Sequence, residues 1–233
     1  MVNFGTKSAS DEFKALGNQW NWVREDRTNW SLVSKPGFLT ITAGPGDVTG
    51  TSNSAKNILL QSANTDWTID TKVVFSGAPG MPAQNAGLIA YQCDDNFVKF
   101  TYGAAAMGRG RAPMGGGAGS LQLVVEENGN QKSAANLSLA GIIKADNTLY
   151  MRLVKKGDTY TAYYSVDGRK FTQFAQAKAT LKDIQAGIIA CEGAQNPAMA
   201  RMMPQGAAAP AAAPAAPFSA SFDYFKISNT SAK

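Results

Sequence analysis

Short runs of β-branched and aromatic residues alternate with clusters of Gly, Asn, Asp and Pro along most of the chain. In several runs the apolar side chains recur at every second position, the period of a half-buried β-strand, and no long segment has the 3.6-residue period of a helix. The pattern predicts eleven strands, at residues 20–24, 38–43, 57–61, 65–75, 86–91, 97–102, 121–127, 148–155, 159–165, 185–191 and 218–227.

Turn residues join some of these strands directly. The segments 155–158 (KKGD) and 166–169 (VDGR) separate strands of alternating pattern, as tight hairpin connections do. Consecutive short strands joined in this way are typical of antiparallel β-proteins. The pattern therefore predicts an all-β fold, either a two-sheet antiparallel sandwich or a barrel.

Two low-complexity segments interrupt the pattern, at 104–120 and 193–217. Together they hold five of the eight Met, six of the ten Pro, three Arg and no acidic residue. The second segment resembles an interdomain linker, but only one predicted strand follows it, and a lone strand has to pair with a sheet formed earlier. We therefore interpret both segments as long loops of one domain, 1–233, with an ordered core at about 11–227.

The composition narrows the chemistry. The chain has 233 residues and no histidine, which excludes Ser-His-Asp triads, Cys-His pairs and histidine zinc sites. Its 22 Lys and Arg against 17 Asp and Glu give a net charge of +5, of which Arg109, Arg111 and Arg201 in the insertions supply three. The remaining +2 is too small to indicate a nucleic-acid surface, and no run approaches the ~18 apolar residues of a membrane span. Neither a nucleic acid nor a membrane is an expected partner.

Two cysteines, Cys93 and Cys191, end similar apolar strands. If those strands are neighbours, one disulfide could form in an oxidising compartment; the alternative, which we favour, is two free buried thiols.

An unusual concentration of tryptophan lies near the N-terminus. Trp20, Trp22 and Trp30 fall within eleven residues, and on a strand Trp20, Trp22 and Arg24 would project from one face. Flat aromatic rings with an adjacent guanidinium suit a sugar, whose C–H faces pack on the rings while its hydroxyls meet planar polar groups. The alternative is a Trp-rich core with Arg24 in a structural ion pair, and for Trp20 we favour the core.

Several motifs occur together in one order. They are LGNQWNWVRED, WSLVSKPGFLTI, NILLQ, DWTIDTKVVF, NAGLIAYQCDDNFVKF, YTAYYSVDGRKF, AGIIACEG and FSASFDYFKIS, from about residue 11 to residue 227. In this respect the chain resembles the C-terminal concanavalin A-like β-sandwich of family 43 glycoside hydrolases, the β-xylosidase and arabinofuranosidase group. The resemblance implies two sheets with a concave face, an extracellular or periplasmic location, and a module that binds plant polysaccharide such as xylan or packs on a catalytic domain.

The resemblance also implies which residues contact a ligand, by matching position. They are Trp22, Arg24, Gln61, Tyr91, Gln92, Asp94, Asn96 and Tyr164. The family's catalytic carboxylates lie in a domain that this chain has no room for, so the expected function is non-catalytic carbohydrate binding, accessory to a glycoside hydrolase. One alternative is a protein-interaction module that docks on a hydrolase; another is a glycosidase site on the sandwich, with a carboxylate pair such as Asp94 and Glu192.

Two aspartates near the ends of the chain suggest a metal. Sandwich modules of this kind often hold a structural calcium near their termini, where carboxylate and backbone oxygens combine, and Asp11 and Asp223 are the candidates here. The alternative is a solvated aspartate on an edge strand.

Overall fold

The computed structural model describes residues 8–50, 52–63, 65–77, 79, 84–104, 119–193 and 217–229. Most of both predicted insertions, at 105–118 and 194–216, lies outside these residues. The described chain forms fifteen strands and one short 3-10 helix, Arg27–Asn29. The strands are β1 (Ser8–Asp11), β2 (Asn21–Val23), β3 (Trp30–Ser31), β4 (Leu39–Thr42), β5 (Ile58–Ser62), β6 (Trp67–Phe75), β7 (Asn85–Cys93), β8 (Asn96–Gly103), β9 (Ser120–Glu127), β10 (Asn130–Ser138), β11 (Thr148–Lys156), β12 (Thr159–Ser165), β13 (Thr172–Lys178), β14 (Gln185–Cys191) and β15 (Ser219–Asn229).

These strands form two antiparallel sheets. Sheet A has the order β13-β12-β11-β6-β15-β4-β3, and β1 also pairs with β15. Sheet B has the order β10-β9-β8-β7-β14-β5-β2. The C-terminal strand β15 lies between β6 and β4 in the middle of sheet A, so the chain returns to a sheet formed earlier, as expected for the segment after the second insertion. The predicted all-β fold, a two-sheet antiparallel sandwich, is confirmed.

The core lies between the two sheets. Alternate residues of the central strands face inward and are fully buried, among them Ile69 and Val73 of β6, Phe100 of β8 and Phe222 of β15. Burial of such side chains is worth about 1.5–3 kcal/mol each. The same alternation directs the polar residues of β6, β11 and β15 to the outer face of sheet A, and this positions the candidate site.

A second apolar cluster covers the outer face of sheet B. Val48 and Ala55 of the loop between β4 and β5 pack on Ile89 and Ile189, and all four are fully buried. Under the same loop, Lys99 Nζ lies 2.5 Å from Asp47 Oδ1 and 3.1 Å from Thr49 Oγ1. The loop is therefore fixed to the sheet by apolar packing and by a buried ion pair.

All eleven predicted strands are present, but β1, β3, β10 and β13 were not predicted. Strands β3, β10 and β13 are sheet edges or short pairings, and β13 (TQFAQAK) has a largely exposed, polar sequence. Edge strands carry little hydrophobic pattern because only one neighbour and part of one face are covered. Among the described residues, no helix is long and apolar enough to cross a membrane.

The direction of β7 and β14 decides whether Cys93 and Cys191 can form the disulfide considered from the sequence. Strands β7 and β14 are neighbours, but they are antiparallel, so Cys191 pairs with Asn85 and Cys93 lies eight residues further along β7. At ~3.4 Å per residue that is a separation of about 27 Å, far beyond the ~7 Å a disulfide can span. Both thiols are free; Cys191 is buried as expected, whereas Cys93 is exposed.

Candidate functional site

A cleft of about 570 Å³ crosses the outer face of sheet A. It is open to solvent and combines charged, aromatic and small residues from β1, β6, β11, β15 and the loops beside them. Its lining residues are Ser10, Glu12, Lys14, Gly37, Asp70, Arg152, Gly168, Phe171, Asp223, Tyr224 and Lys226. We call this feature the sheet A groove.

Arg152 lies at the centre of the sheet A groove and is held from two sides. Its Nε donates to Asp70 Oδ1 at 2.5 Å, across the β6–β11 pairing that brings these two residues into register. Its guanidinium lies 4.0 Å from the centre of the Phe171 ring. About a third of the Arg152 side chain (36%) stays exposed, so part of a planar, five-donor group is presented to the groove in a fixed orientation.

A second ion pair borders the same groove. Lys72 Nζ donates to Asp223 Oδ2 at 2.7 Å, and this contact raises the pKa of Lys72. Burial, together with the charge of Asp70, raises the pKa of Tyr224 to about 12. Tyr224 therefore stays a neutral phenol at physiological pH, with a hydroxyl that can donate or accept a hydrogen bond.

The predicted ligand residues Arg24, Tyr91 and Asp94 do meet, at one end of sheet B. Arg24 donates two hydrogen bonds to Asp94, at 2.7 and 2.8 Å, and a third to the carbonyl of Ala55 at 2.7 Å. The Tyr91 hydroxyl donates to Asp94 at 2.8 Å. Asp94 is thus the shared acceptor of a closed network, and Arg24 gains a raised pKa from it. The network joins the β4–β5 loop to the turn after β7.

The other five predicted residues are not part of that network. Trp22 and Tyr164 pack against the core between the sheets, and Gln61 pairs with the core residue Ala186 and is only 8% exposed. The side chains of Gln92 and Asn96 accept hydrogen bonds from the backbone N–H groups of Lys182 and Asn128. Whether any of the eight touches a ligand stays a prediction.

Of the two interpretations of this segment, the structure shows the Trp-rich core with Arg24 in an ion pair, the one favoured for Trp20, and not a platform of Trp20, Trp22 and Arg24 on one strand face. Trp20 is buried, and the half-buried Trp22 packs against the core and on Trp30, with ring centres 5.1 Å apart. Strand β2 ends at Val23, and Arg24 has a left-handed backbone, φ +53°. That conformation ends the alternation, and the Arg24 side chain turns to Asp94 instead of following Trp22.

Asp11 and Asp223 do not fit a calcium ion. Asp11 accepts from Trp20 Nε1 at 2.6 Å, from Gln19 Nε2 at 3.0 Å and from the N–H of Phe13 at 2.8 Å. Asp223 is paired with the Lys72 ammonium. Three neutral donors on Asp11 and one ammonium on Asp223 use the oxygens that a hard cation needs, so these residues tie the N-terminal segment and β15 in place.

The carboxylate pair Asp94 and Glu192 is also separated. Each follows the last residue of β7 or β14, and these strands are antiparallel, so the two acids lie at opposite ends of sheet B. That distance is far above the roughly 5–9.5 Å between the two acids of a glycosidase.

Sequence reasoning missed the sheet A groove, although a signal was present. Asp70, Arg152 and Tyr224 come from three strands that are distant in sequence, and only the order β11-β6-β15 brings them together. The signal is a charged or hydroxylated residue at outward positions of otherwise apolar strands.

Comparisons with known proteins identify the family. The sequence matches the β-xylosidase C-terminal concanavalin A-like domain over residues 10–189. No curated protein matches it. Among solved structures, a family 43 glycoside hydrolase from Bacillus licheniformis has a TM-score of 0.70 at 19% identity, covering 95% of this chain and 39% of its own.

Two further structures show how widely this fold occurs. A xylan β-1,4-xylosidase from Bacillus halodurans has a TM-score of 0.67 at 17% identity, over 97% of this chain and 40% of its own. A lectin from Bauhinia forficata, in complex with GalNAc, has a TM-score of 0.57 at 11% identity, over 98% of this chain and 100% of its own. These likenesses concern the fold, and the chain spans about two fifths of the length of the two hydrolases. The chain belongs to the family of β-xylosidase C-terminal concanavalin A-like domains.

Proposed function

We propose that this domain is a non-catalytic module that binds plant polysaccharide of the xylan type, accessory to a glycoside hydrolase, and that the sugar chain lies in the sheet A groove. The observation that carries the proposal is the arrangement of Arg152, Asp70, Phe171 and Tyr224 in one open cleft. Each of these groups has a defined use in holding a sugar.

The polar groups suit vicinal hydroxyls. A guanidinium beside a carboxylate offers donors and acceptors in one plane, and a sugar hydroxyl can accept from Arg152 while it donates to Asp70. The Tyr224 hydroxyl adds a further donor or acceptor. Because Arg152 is already fixed by Asp70 and Phe171, little side-chain entropy is lost when a ligand binds.

The charge balance of the groove supports a neutral ligand. Its lining holds the acids Glu12, Asp70 and Asp223 together with the bases Lys14, Arg152 and Lys226. Neither sign is in excess, so the groove has no net field that would favour a strongly anionic or cationic ligand. A neutral polyhydroxylated chain matches this lining.

The groove serves this function better than the network at the end of sheet B. There, Arg24, Tyr91 and Asp94 already satisfy one another, and a ligand would have to break those hydrogen bonds to use the same groups. In the groove, Arg152 has one carboxylate partner and keeps further N–H groups exposed.

The proposed ligand indicates where the module would act and which kind of domain would accompany it. Because polysaccharides are too large to enter a cell, the proposed module would act in an extracellular or periplasmic location. Bond cleavage would belong to a glycoside hydrolase domain, since the solved xylosidases that share this fold are longer than this chain and match it over only 39–40% of their length. The module would raise the local concentration of substrate at that domain.

Titration calorimetry with a glycan panel tests the proposal. We expect xylo-oligosaccharides to bind with a dissociation constant on the order of micromolar to millimolar, because a shallow, wet groove buries little area. Cello-oligosaccharides and arabino-oligosaccharides, titrated in the same way, show how specific the binding is for xylo-oligosaccharides. If no member of the panel releases heat, the module is not a sugar binder. Co-purification of a hydrolase together with a silent panel would instead identify a docking module.

A further inference from the structure

Two buried oxygen atoms near the outer face of sheet B have no hydrogen-bond partner within the described part of the chain. They are Glu126 Oε1, on a side chain that is fully buried, and Asn53 Oδ1. A buried acceptor without a partner costs about 1–3 kcal/mol, and more for a charged group. Two such atoms in one region indicate that something other than the protein completes their coordination.

The two oxygens belong to one small region. The N–H of Gly50 donates to the other oxygen of Glu126, Oε2, at 2.8 Å. Gly50 and Asn53 lie in one tight loop, which closes where the N–H groups of Ser54 and Ala55 donate to the Asp47 carbonyl at 2.9 and 3.1 Å. The loop that carries Asn53 is therefore bonded to Glu126 through Gly50.

A second carboxylate reaches the same region. Asn53 Nδ2 donates to Asp95 Oδ1 at 2.8 Å, so Asp95 lies directly beside Asn53. Asp95 lies in the turn between β7 and β8, two residues before Phe97, and Phe97 is the cross-strand partner of Glu126. Asp95 therefore lies next to the start of β8, and Glu126 lies on the adjacent strand β9.

The charges of this region are not balanced. The neighbouring acids each have a cation: Asp94 pairs with Arg24, and Asp47 pairs with Lys99. Within the described residues, neither Asp95 nor Glu126 forms an ion pair. The charge of Lys99 also acts on Glu126, but the Lys99 ammonium is already bonded to Asp47 and Thr49, so Asp95 and Glu126 keep no cation of their own among the described residues.

We propose that Glu126, Asp95 and Asn53 form a calcium site that fastens the β4–β5 loop to sheet B. All three side chains offer oxygen, the donor atom that calcium prefers, and calcium accepts irregular geometry with waters completing its six to eight ligands. Softer transition metals would favour nitrogen or sulfur donors, which these three side chains do not present as free ligands. With three protein ligands the affinity belongs to the weak class of extracellular calcium modules, about 10⁻⁴–10⁻³ M.

Metal-free protein titrated with calcium chloride tests the site. After dialysis against EDTA and then buffer, we expect calorimetry to show one binding event, and 10 mM calcium to raise the melting temperature by about 5 °C. Glu126→Gln keeps the shape of the side chain and removes the charge, and it is expected to abolish both effects. Asp95→Asn, at an exposed turn, is expected to do the same and serves if Glu126→Gln does not fold.

The matched control is Asp223→Asn, which removes a carboxylate at the other calcium position considered from sequence. It should leave the calcium response unchanged. The proposal is overturned if native protein shows neither heat nor a shift, in which case water satisfies the two oxygens. It is equally overturned if the response survives in Glu126→Gln and Asp95→Asn, or if Asp223→Asn removes it.

Discussion

Replacing Lys99 with methionine is expected to lower the free energy of unfolding by about 3–5 kcal/mol. Lys99 and Asp47 form the most deeply buried ion pair of the described chain, with side chains 3% and 13% exposed. Methionine fills much of the same volume but leaves the Asp47 carboxylate in a nearly dry site without its cation. For a domain of this size the melting temperature should fall by about 10 °C, measured by calorimetry and checked by urea unfolding.

A second lysine gives a matched control for that substitution. Lys72 and Asp223 are 2.7 Å apart, but their side chains are 26% and 33% exposed. Water can solvate Asp223 after Lys72→Met, so a loss of no more than about 1 kcal/mol is expected. Equal losses in the two variants would show that burial does not decide the strength of these pairs, and the account of the loop anchor would fail.

A single methyl group at Gly187 is expected to destabilise the domain by about 3 kcal/mol or more, since small additions to a packed interior cost 1–3 kcal/mol and here the obstacle is backbone. A Cβ at Gly187 would lie 1.9 Å from the carbonyl oxygen of Leu59 on the neighbouring strand β5. Relief of that overlap would require β14 and β5 to move apart and lose pairing. Urea unfolding of Gly187→Ala measures the effect.

Gly77→Ala is the control for the glycine prediction. Apart from its chain neighbours, no atom of the described residues lies within 4 Å of a Cβ built there, and its φ is not positive. We expect its stability to be unchanged or slightly raised, because alanine restricts the unfolded chain. A stable Gly187→Ala protein would contradict the close approach of these two strands.

The close strand approach at Gly187 also explains why an Ala-Gly pair occurs at the start of two apolar runs. The runs 86–91 and 186–191 both begin Ala-Gly and continue with apolar residues, and they form the neighbouring strands β7 and β14. A Cβ at Gly87 would lie 2.3 Å from the carbonyl oxygen of Phe100 on β8. In both strands glycine is required because an adjacent backbone comes close.

The fold could be predicted from sequence because burial controls it. Alternation such as that of β6 and β11 records which side chains face the core, and eleven strands with two hairpins leave few architectures. Sheet order was accessible only through the resemblance to family 43 modules, since strand pairing such as β15 between β6 and β4 joins residues far apart in the chain.

The sequence did not predict the sheet A groove, and it predicted the network at the end of sheet B only in part, for local reasons. Arg24, Tyr91 and Asp94 do meet, as their family positions imply, but the left-handed backbone at Arg24 separates it from Trp22, and alternation cannot reveal a positive φ. Likewise, Cys93 and Cys191 lie far apart because β7 and β14 are antiparallel, and the relative direction of two strands cannot be read from short apolar runs.

The most direct test of sugar binding in the sheet A groove is calorimetry of xylohexaose with two arginine variants, each confirmed to be folded by circular dichroism. Arg152→Met removes the donor at the centre of the groove, and Arg24→Met removes the donor of the network at the end of sheet B. The account predicts that Arg152→Met weakens binding by about tenfold or more, as for a lost hydrogen bond to a charged group, while Arg24→Met binds like the native protein. Loss of binding in Arg24→Met with native affinity in Arg152→Met would contradict it.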